Sequence, residues 1–312
     1  MPTQCYDAPS GKVGKIFVGI LSVELDRVYT RKWIVERVIV FQSVILQRNQ
    51  GVNTSLQICK HVLFQLSFWN RGAFDELVKD TYNYAMGYLG KDRRNQEEEQ
   101  HHKTFSNLVL KGKLCKAVRL VCDREKGGVL QPDELAEDRT GMINNTIASV
   151  LEGKHPSRTI PSCAKLEMYE ETPIFIPVDI MEEAIESVAH KILGSSSSGG
   201  TISEALHGWL LEFGEDSNRL RTCVETFLDW LANGFLPWAS YRAFMSGHLI
   251  ALDKQPVVCP VGVGETWRRL VSKIVPKVTR PEATMACKDD QLCAGLKAGN
   301  DDTVHGVQSI WD

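Results

Sequence analysis

Apolar residues recur at helical spacing through most of the chain. Phe74, Leu77, Val78, Ala85 and Leu89 share one face of a helix that Gly90 can close. Leu114, Ala117, Val118 and Val121 mark another, stopped by Gly127 and Gly128. Between them, residues 91–103 are polar and carry Glu97, Glu98 and Glu99, the pattern of a solvated loop or helix face. Residues 127–173 are loop-rich, punctuated by Pro132, Pro156 and Pro161, with one helix predicted over 142–151. A clear helix opens at Asp179, whose carboxylate can cap the N-terminus while Glu182 reaches back in a capping box. Met181, Ala184, Ile185, Val188 and Ile192 form its apolar stripe, and Gly194 ends it. Residues 195–200, SSSSGG, are low in complexity and predict a linker or hinge. Beyond them Leu206, Trp209, Leu210 and Phe213 form one helix face. Leu220, Val224, Phe227, Leu228 and Leu231 form the next, with Gly234 in the C′ position.

The period then changes. Residues 249–252 are a short apolar run, 253–256 a polar turn and 257–263 a second apolar run. This predicts a β-hairpin with Pro260 at an edge or a bulge. Trp267, Leu270, Val271 and Ile274 restore helical spacing, and Pro276 is expected to break or end that helix. The expected fold is mainly α with a small α+β C-terminal part. Its expected divisions are a helical extension over 1–100, a helical and loop region over 101–194, the linker 195–200, and a C-terminal region over 201–312.

Composition narrows the function classes. The chain has 312 residues, 43% hydrophobic and 24% charged, which is ordinary for a globular protein and argues against wholesale disorder. Net charge is −3, so any surface for a polyanion must be local. The apolar runs 16–23 and 38–46 fall short of the roughly 20 residues a membrane-spanning helix needs. The expectation is therefore no membrane partner and a cytoplasmic or nuclear protein, not a secreted one. Nine cysteines, odd in number and never spaced as CxxC, fit a reducing compartment and make neither a disulfide framework nor a zinc site. His101, His102, Cys115 and Cys122 come nearest to a metal set but lack the tight pairs zinc uses. There is no P-loop, HExxH or GxSxG, and Gly262-x-Gly264 has Trp267 where a dinucleotide fingerprint needs its third glycine.

One stretch points further. Residues 249–270 read LIALDKQPVVCPVGVGETWRRL. This closely resembles the fingers segment of retroelement-encoded reverse transcriptases, the non-LTR type in particular, where a hairpin with a lysine and an arginine–proline pair leads into a helix. GWLLEFG at 208–214, DWLANG at 229–234 and QLCAGLKAG at 291–299 extend the resemblance over much of the chain. It implies a helical lead-in followed by a partial fingers subdomain of an RNA-directed DNA polymerase. Lys254 matches the family's lysine, and a cation on a rigid hairpin suits a triphosphate. Cys259 stands where the family has its phosphate-binding arginine, and supplies neither the charge nor the bidentate fork. Val257 replaces a usual glycine, and His248 and Arg280 replace a family arginine and glycine.

The resemblance also places 291–299 just upstream of the palm, whose aspartates clamp two metal ions during polymerisation. Asp289, Asp290, Asp301 and Asp302 then read as loop acids, and the expectation is a fragment ending before the palm, with no catalytic residue and no cofactor of its own. Mg²⁺ is expected only in a full-length relative. Three readings follow: a polymerase fragment without independent catalysis; a residual RNA- or DNA-binding module using Lys254, Arg268, Arg269, Lys273 and Lys277; or a helical protein–protein module whose 72–90 and 179–193 segments meet a partner. Self-association through surface that a palm would cover is a further expectation.

Overall fold

The structure is a computed structural model that describes residues 5–31, 35–49, 51–89, 97–110, 112, 114–122, 129–137, 143–154, 177–194, 197, 199–234, 237–254 and 257–287. It is mostly helical, with two small sheets. The elements are α1 (Lys12–Arg31), α2 (Glu36–Ile45), α3 (Ser55–Asn70), α4 (Phe74–Leu89), α5 (Glu97–Leu110), α6 (Leu114–Cys122), β1 (Val129–Leu130), β2 (Leu135–Glu137), β3 (Ile143–Thr146) and α7 (Ile147–Lys154). They continue with α8 (Glu182–Ala189), α9 (Ser203–Leu211), α10 (Glu215–Asn233), α11 (Trp238–Met245), β4 (Gly247–Lys254), β5 (Val257–Gly264) and α12 (Thr266–Cys287). Two compact units result. One gathers Met1–Ala85, Phe175–Ser246 and Gly264–Asp312; the other takes Met86–Ile174 and Gly247–Val263.

In the helical unit, α1 packs most extensively against α10, although they lie far apart in sequence. Phe17, Val18, Leu21, Leu25 and Val28 repeat at helical spacing and are all fully buried, which turns one face of α1 entirely inward. Phe17 stacks on Phe41 of α2, ring centroids 5.4 Å apart, and meets the edge of Trp209 of α9 at 5.2 Å. Burying each such side chain contributes about 1.5–3 kcal/mol. Gly14 permits this approach, because a Cβ there would collide with the Pro9 carbonyl and the Phe213 ring. On α10, Leu220, Val224, Phe227 and Leu228 face the same core, as their spacing predicts. Thr54 and Gln57 form a capping box at the start of α3, satisfying backbone donors that a helix end leaves open.

Several expectations change. Asp179 does not cap α8: the cap position belongs to Met181, with no side-chain capping bond. The reason is long-range, since Asn233 Oδ1 accepts from Val178 N at 2.7 Å and Asp229 Oδ1 from Ile180 N at 3.1 Å. These bonds hold the approach to α8 extended. The helix ends at Ala189 rather than Gly194, and Ile185, Val188, Ala189 and Ile192 are buried in their own unit's core. Of the SSSSGG segment, Ser197 and Gly200 are buried in a tight turn in which Ser197 N donates to Thr201 O and Gly200 N to Ser197 O. A Cβ on Gly199 would run into Ser43 Oγ, so that residue is closely packed rather than part of an open spacer. Gly234 ends α10 in an extended conformation, φ −102°, not a left-handed one. Pro276 does not stop α12, which runs through it and Pro281 to Cys287. The carbonyl Pro276 leaves without an N–H partner is that of the exposed Ser272, where solvent can satisfy it.

In the other unit, β1, β4 and β5 form a sheet in that order, with Val129 opposite Leu252 and Leu130 opposite Ala251. β5, which carries Pro260, is one of the two edge strands, and an edge was one of the places predicted for that proline. β2 pairs with β3, so the helix predicted over 142–151 is instead a strand that turns into α7. Ala136, Ile147, Ala251 and Val258 make the small core, and Lys154 Nζ donates to the Val258 carbonyl. Among the described residues, no helix is long and apolar enough to cross a membrane.

Candidate nucleic-acid interface

The predicted site residues fall into two groups. Lys254 is exposed at the end of β4 and Cys259 is half-buried in β5, both in the sheet-bearing unit. Arg268, Arg269, Lys273 and Lys277 lie on α12 in the helical unit. The apolar spacing of Trp267, Leu270 and Ile274 buries one face of α12 and so turns Lys273 and Lys277, one helical turn apart, toward solvent. The two arginines are anchored. Arg268 Nη1 donates to the Met245 carbonyl at 3.1 Å, while Arg269 donates from Nε to Gly264 O at 3.0 Å and from Nη1 to Ser203 Oγ at 2.8 Å. In all, α12 carries Arg268, Arg269, Lys273, Lys277 and Arg280 against the acid Glu282.

Beside it stands α11, which packs against α2 and α12. Ser240 and Phe244 are its buried anchors, Ser240 Oγ donating to Glu36 Oε2 at 2.9 Å. The opposite stripe, Trp238, Tyr241, Arg242 and Met245, is exposed. No acidic residue occurs between positions 230 and 252. Sequence reasoning did not single out α11; the spacing WxxYRxxM behind Pro237 was the available signal, and it does not reveal which face points outward.

The start of α12 is held from within. Trp267 Nε1, which can only donate, bonds Gln42 Oε1 at 3.0 Å and so fixes the orientation of that amide. Gln42 Nε2 then donates to Glu265 Oε1 at 3.0 Å. Glu265 is fully buried, and burial pushes its carboxyl above the usual glutamate range, offset only in part by the Thr266 N–H and the Arg269 charge. Ser197 lies by this carboxyl, but neither its Oγ nor Glu265 Oε2 closes a hydrogen bond of good geometry. Thr266 Oγ1 donates to Thr201 O and Cys5 Sγ to Gly199 O, so the turn at 197–201, the chain's N-terminal region and the head of α12 are tied together.

Elsewhere in the helical unit, Tyr29, Asp179, Glu225, Asp229 and Trp230 line an open cleft of about 380 Å³. Burial, followed by the neighbouring charges of Glu182, Glu183, Asp179 and Asp229, raises the Glu225 carboxyl. The charge there is of the wrong sign for phosphate. Among the described residues, no three His, Cys, Asp or Glu side chains gather as a metal site. The His101, His102, Cys115 and Cys122 set lies outside the described side chains except for His102. No family model, curated protein or solved structure matches the chain.

Proposed function

We propose that this chain is a reverse transcriptase-like polypeptide of retroelement type whose own contribution is to bind nucleic acid rather than to polymerise it. The observation that carries the binding half is α12, with five cations against one acid in a protein of net charge −3. Lys273 and Lys277 project to solvent and Arg268 is pre-positioned by its bond to the Met245 carbonyl, whereas Arg269 is turned inward to Gly264 and Ser203. Phosphates meeting such a row release condensed counterions, which gives sequence-independent affinity. The order of a hairpin carrying Lys254 followed at once by this helix supports the polymerase-like half, together with the motif resemblance at 249–270. With Cys259 at the arginine position, nucleotide capture by the hairpin would rest on Lys254 alone among the two matched residues.

Binding of labelled RNA and DNA strands across a salt series tests this reading. Affinity should fall linearly with salt on logarithmic axes. Charge removal by Lys273→Gln with Lys277→Gln should reduce the slope by about 0.7–0.9 per lost contact. Affinity that ignores salt, or a slope unchanged in the double variant, would reject α12 as the binding element.

A further inference from the structure

We propose that α11 is a base-stacking platform: the exposed Trp238–Tyr241 pair receives an unpaired base of a single-stranded nucleic acid, with Arg242 and the cations of α12 holding the flanking phosphates. This deepens the reading of α12 as a phosphate-binding element and rests on it.

Exposure of this kind calls for a cause. Trp238 is 67% and Tyr241 41% exposed, although aromatic side chains supply the largest hydrophobic contribution when buried. The fold does not need them for anchorage, because Ser240 and Phe244 already fix the opposite face of α11. The two rings are stacked on each other, centroids 5.6 Å apart and planes at 19°. Each therefore limits the other's rotation, and the outer face of the stacked pair is left open for a base to add to the stack. A base stacks on such a surface whatever its sequence, since every base has a π-face.

The surrounding charge selects the partner. Arg242 lies in the same stripe, one residue from Tyr241, and the Arg268 guanidinium sits on the Met245 carbonyl at the stripe's C-terminal end. With no acid between positions 230 and 252, nothing in that segment repels a polyanion. A stacked aromatic pair set among cations matches single-strand binders, which combine a basic track with aromatic rings. A duplex keeps its bases paired and stacked internally and offers them no comparable face.

The test uses the full chain with three probes of equal length: single-stranded RNA, the same strand made abasic, and a duplex. Wild type should prefer the single strand over the abasic strand by about 5- to 150-fold per stacked base. Trp238→Ala should erase that preference and Trp238→Phe should keep most of it, while all three proteins bind the abasic strand equally. Equal binding of the RNA and abasic strands by wild type would remove the platform and leave the phosphate reading of α12 intact. Loss of all strand binding by wild type would remove both. Equal losses in the Ala and Phe variants would also reject stacking. So would a Trp238→Ala variant that abolishes self-association but still prefers RNA, because the face would then be a protein contact.

Discussion

Trp267 and Gln42 lie 225 residues apart and share a hydrogen bond of 3.0 Å inside the helical core. Gln42 completes the arrangement by donating to Glu265, so one amide bonds an indole and one oxygen of a carboxyl, both on fully buried residues. In Gln42→Leu the volume stays similar but both partners lose their bond. Each orphaned group costs about 1–3 kcal/mol, and the expected total is about 2–6 kcal/mol. A lower urea midpoint with an unchanged slope is the expected result. A midpoint equal to wild type would mean the two groups find other partners.

Two buried glutamates should respond to pH in opposite senses. Glu265 is held above its ordinary range, so its contribution is fully present below the unfolded pKa and is lost as pH rises through the folded one. Stability measured relative to Glu265→Gln should therefore fall as pH climbs out of the glutamate range, then level off. Glu24 behaves otherwise. Burial pulls its carboxyl upward, but bonds from Arg37 and Trp69 and the charges of Arg37 and Arg27 outweigh that and lower it. Its contribution is present above the unfolded pKa and is lost as pH falls through the folded one. Glu24→Gln should cost most near neutrality and least in acid. Parallel pH profiles for the two variants would refute these assignments.

Cys5 should be unreactive. Burial pushes its thiol up to about 12, and Sγ donates to the Gly199 carbonyl at 3.4 Å. Because the thiolate is the reacting form, alkylation at mildly alkaline pH should run on the order of 10³-fold slower in the native chain than in the urea-unfolded one. Peptide mapping after timed alkylation reads this directly. Native labelling of Cys5 at the unfolded rate would show the turn at 197–201 opening freely.

Gly14→Ala should destabilise more than an ordinary helix substitution, despite alanine's better helix propensity. The added methyl meets the Pro9 backbone and the Phe213 ring, and backbone cannot yield as a side-chain tip does. Overpacking of this kind costs about 1–3 kcal/mol, against a propensity gain of about 1 kcal/mol. Gly19→Ala on the same helix meets nothing within 4 Å and serves as the control, expected neutral or stabilising. The same melting temperature for both variants would contradict the close approach of α1 to Phe213.

The elements legible in the sequence were those whose signal is local. Leu220, Val224, Phe227 and Leu228 announce α10 by spacing alone, and the apolar–turn–apolar pattern around Lys254 announces β4 and β5. What escaped depended on distant partners. Nothing near Asp179 reveals that Asp229 and Asn233 claim the backbone before α8, and nothing near Gly199 reveals Ser43. Pro276 misled because its penalty depends on whether the orphaned carbonyl faces solvent. The cations of α12 could be singled out individually. The platform on α11 could not, because a stripe of Trp, Tyr and Met reads equally well as a core face until the packing of Ser240 and Phe244 is known.

The helical unit is drawn from three separated stretches of chain, and this has a consequence for its synthesis. Translation proceeds at roughly 5–20 residues per second, so about 10–45 s separate the appearance of Gln42 from that of Trp267. Until α10 and α11 are made within that interval, α1 lacks α10, its main cover, and α2 lacks α11, so their apolar faces stand open on the nascent chain. Folding of this unit therefore waits on the synthesis of α10 and the head of α12, and its early helices are the natural client of a holding chaperone.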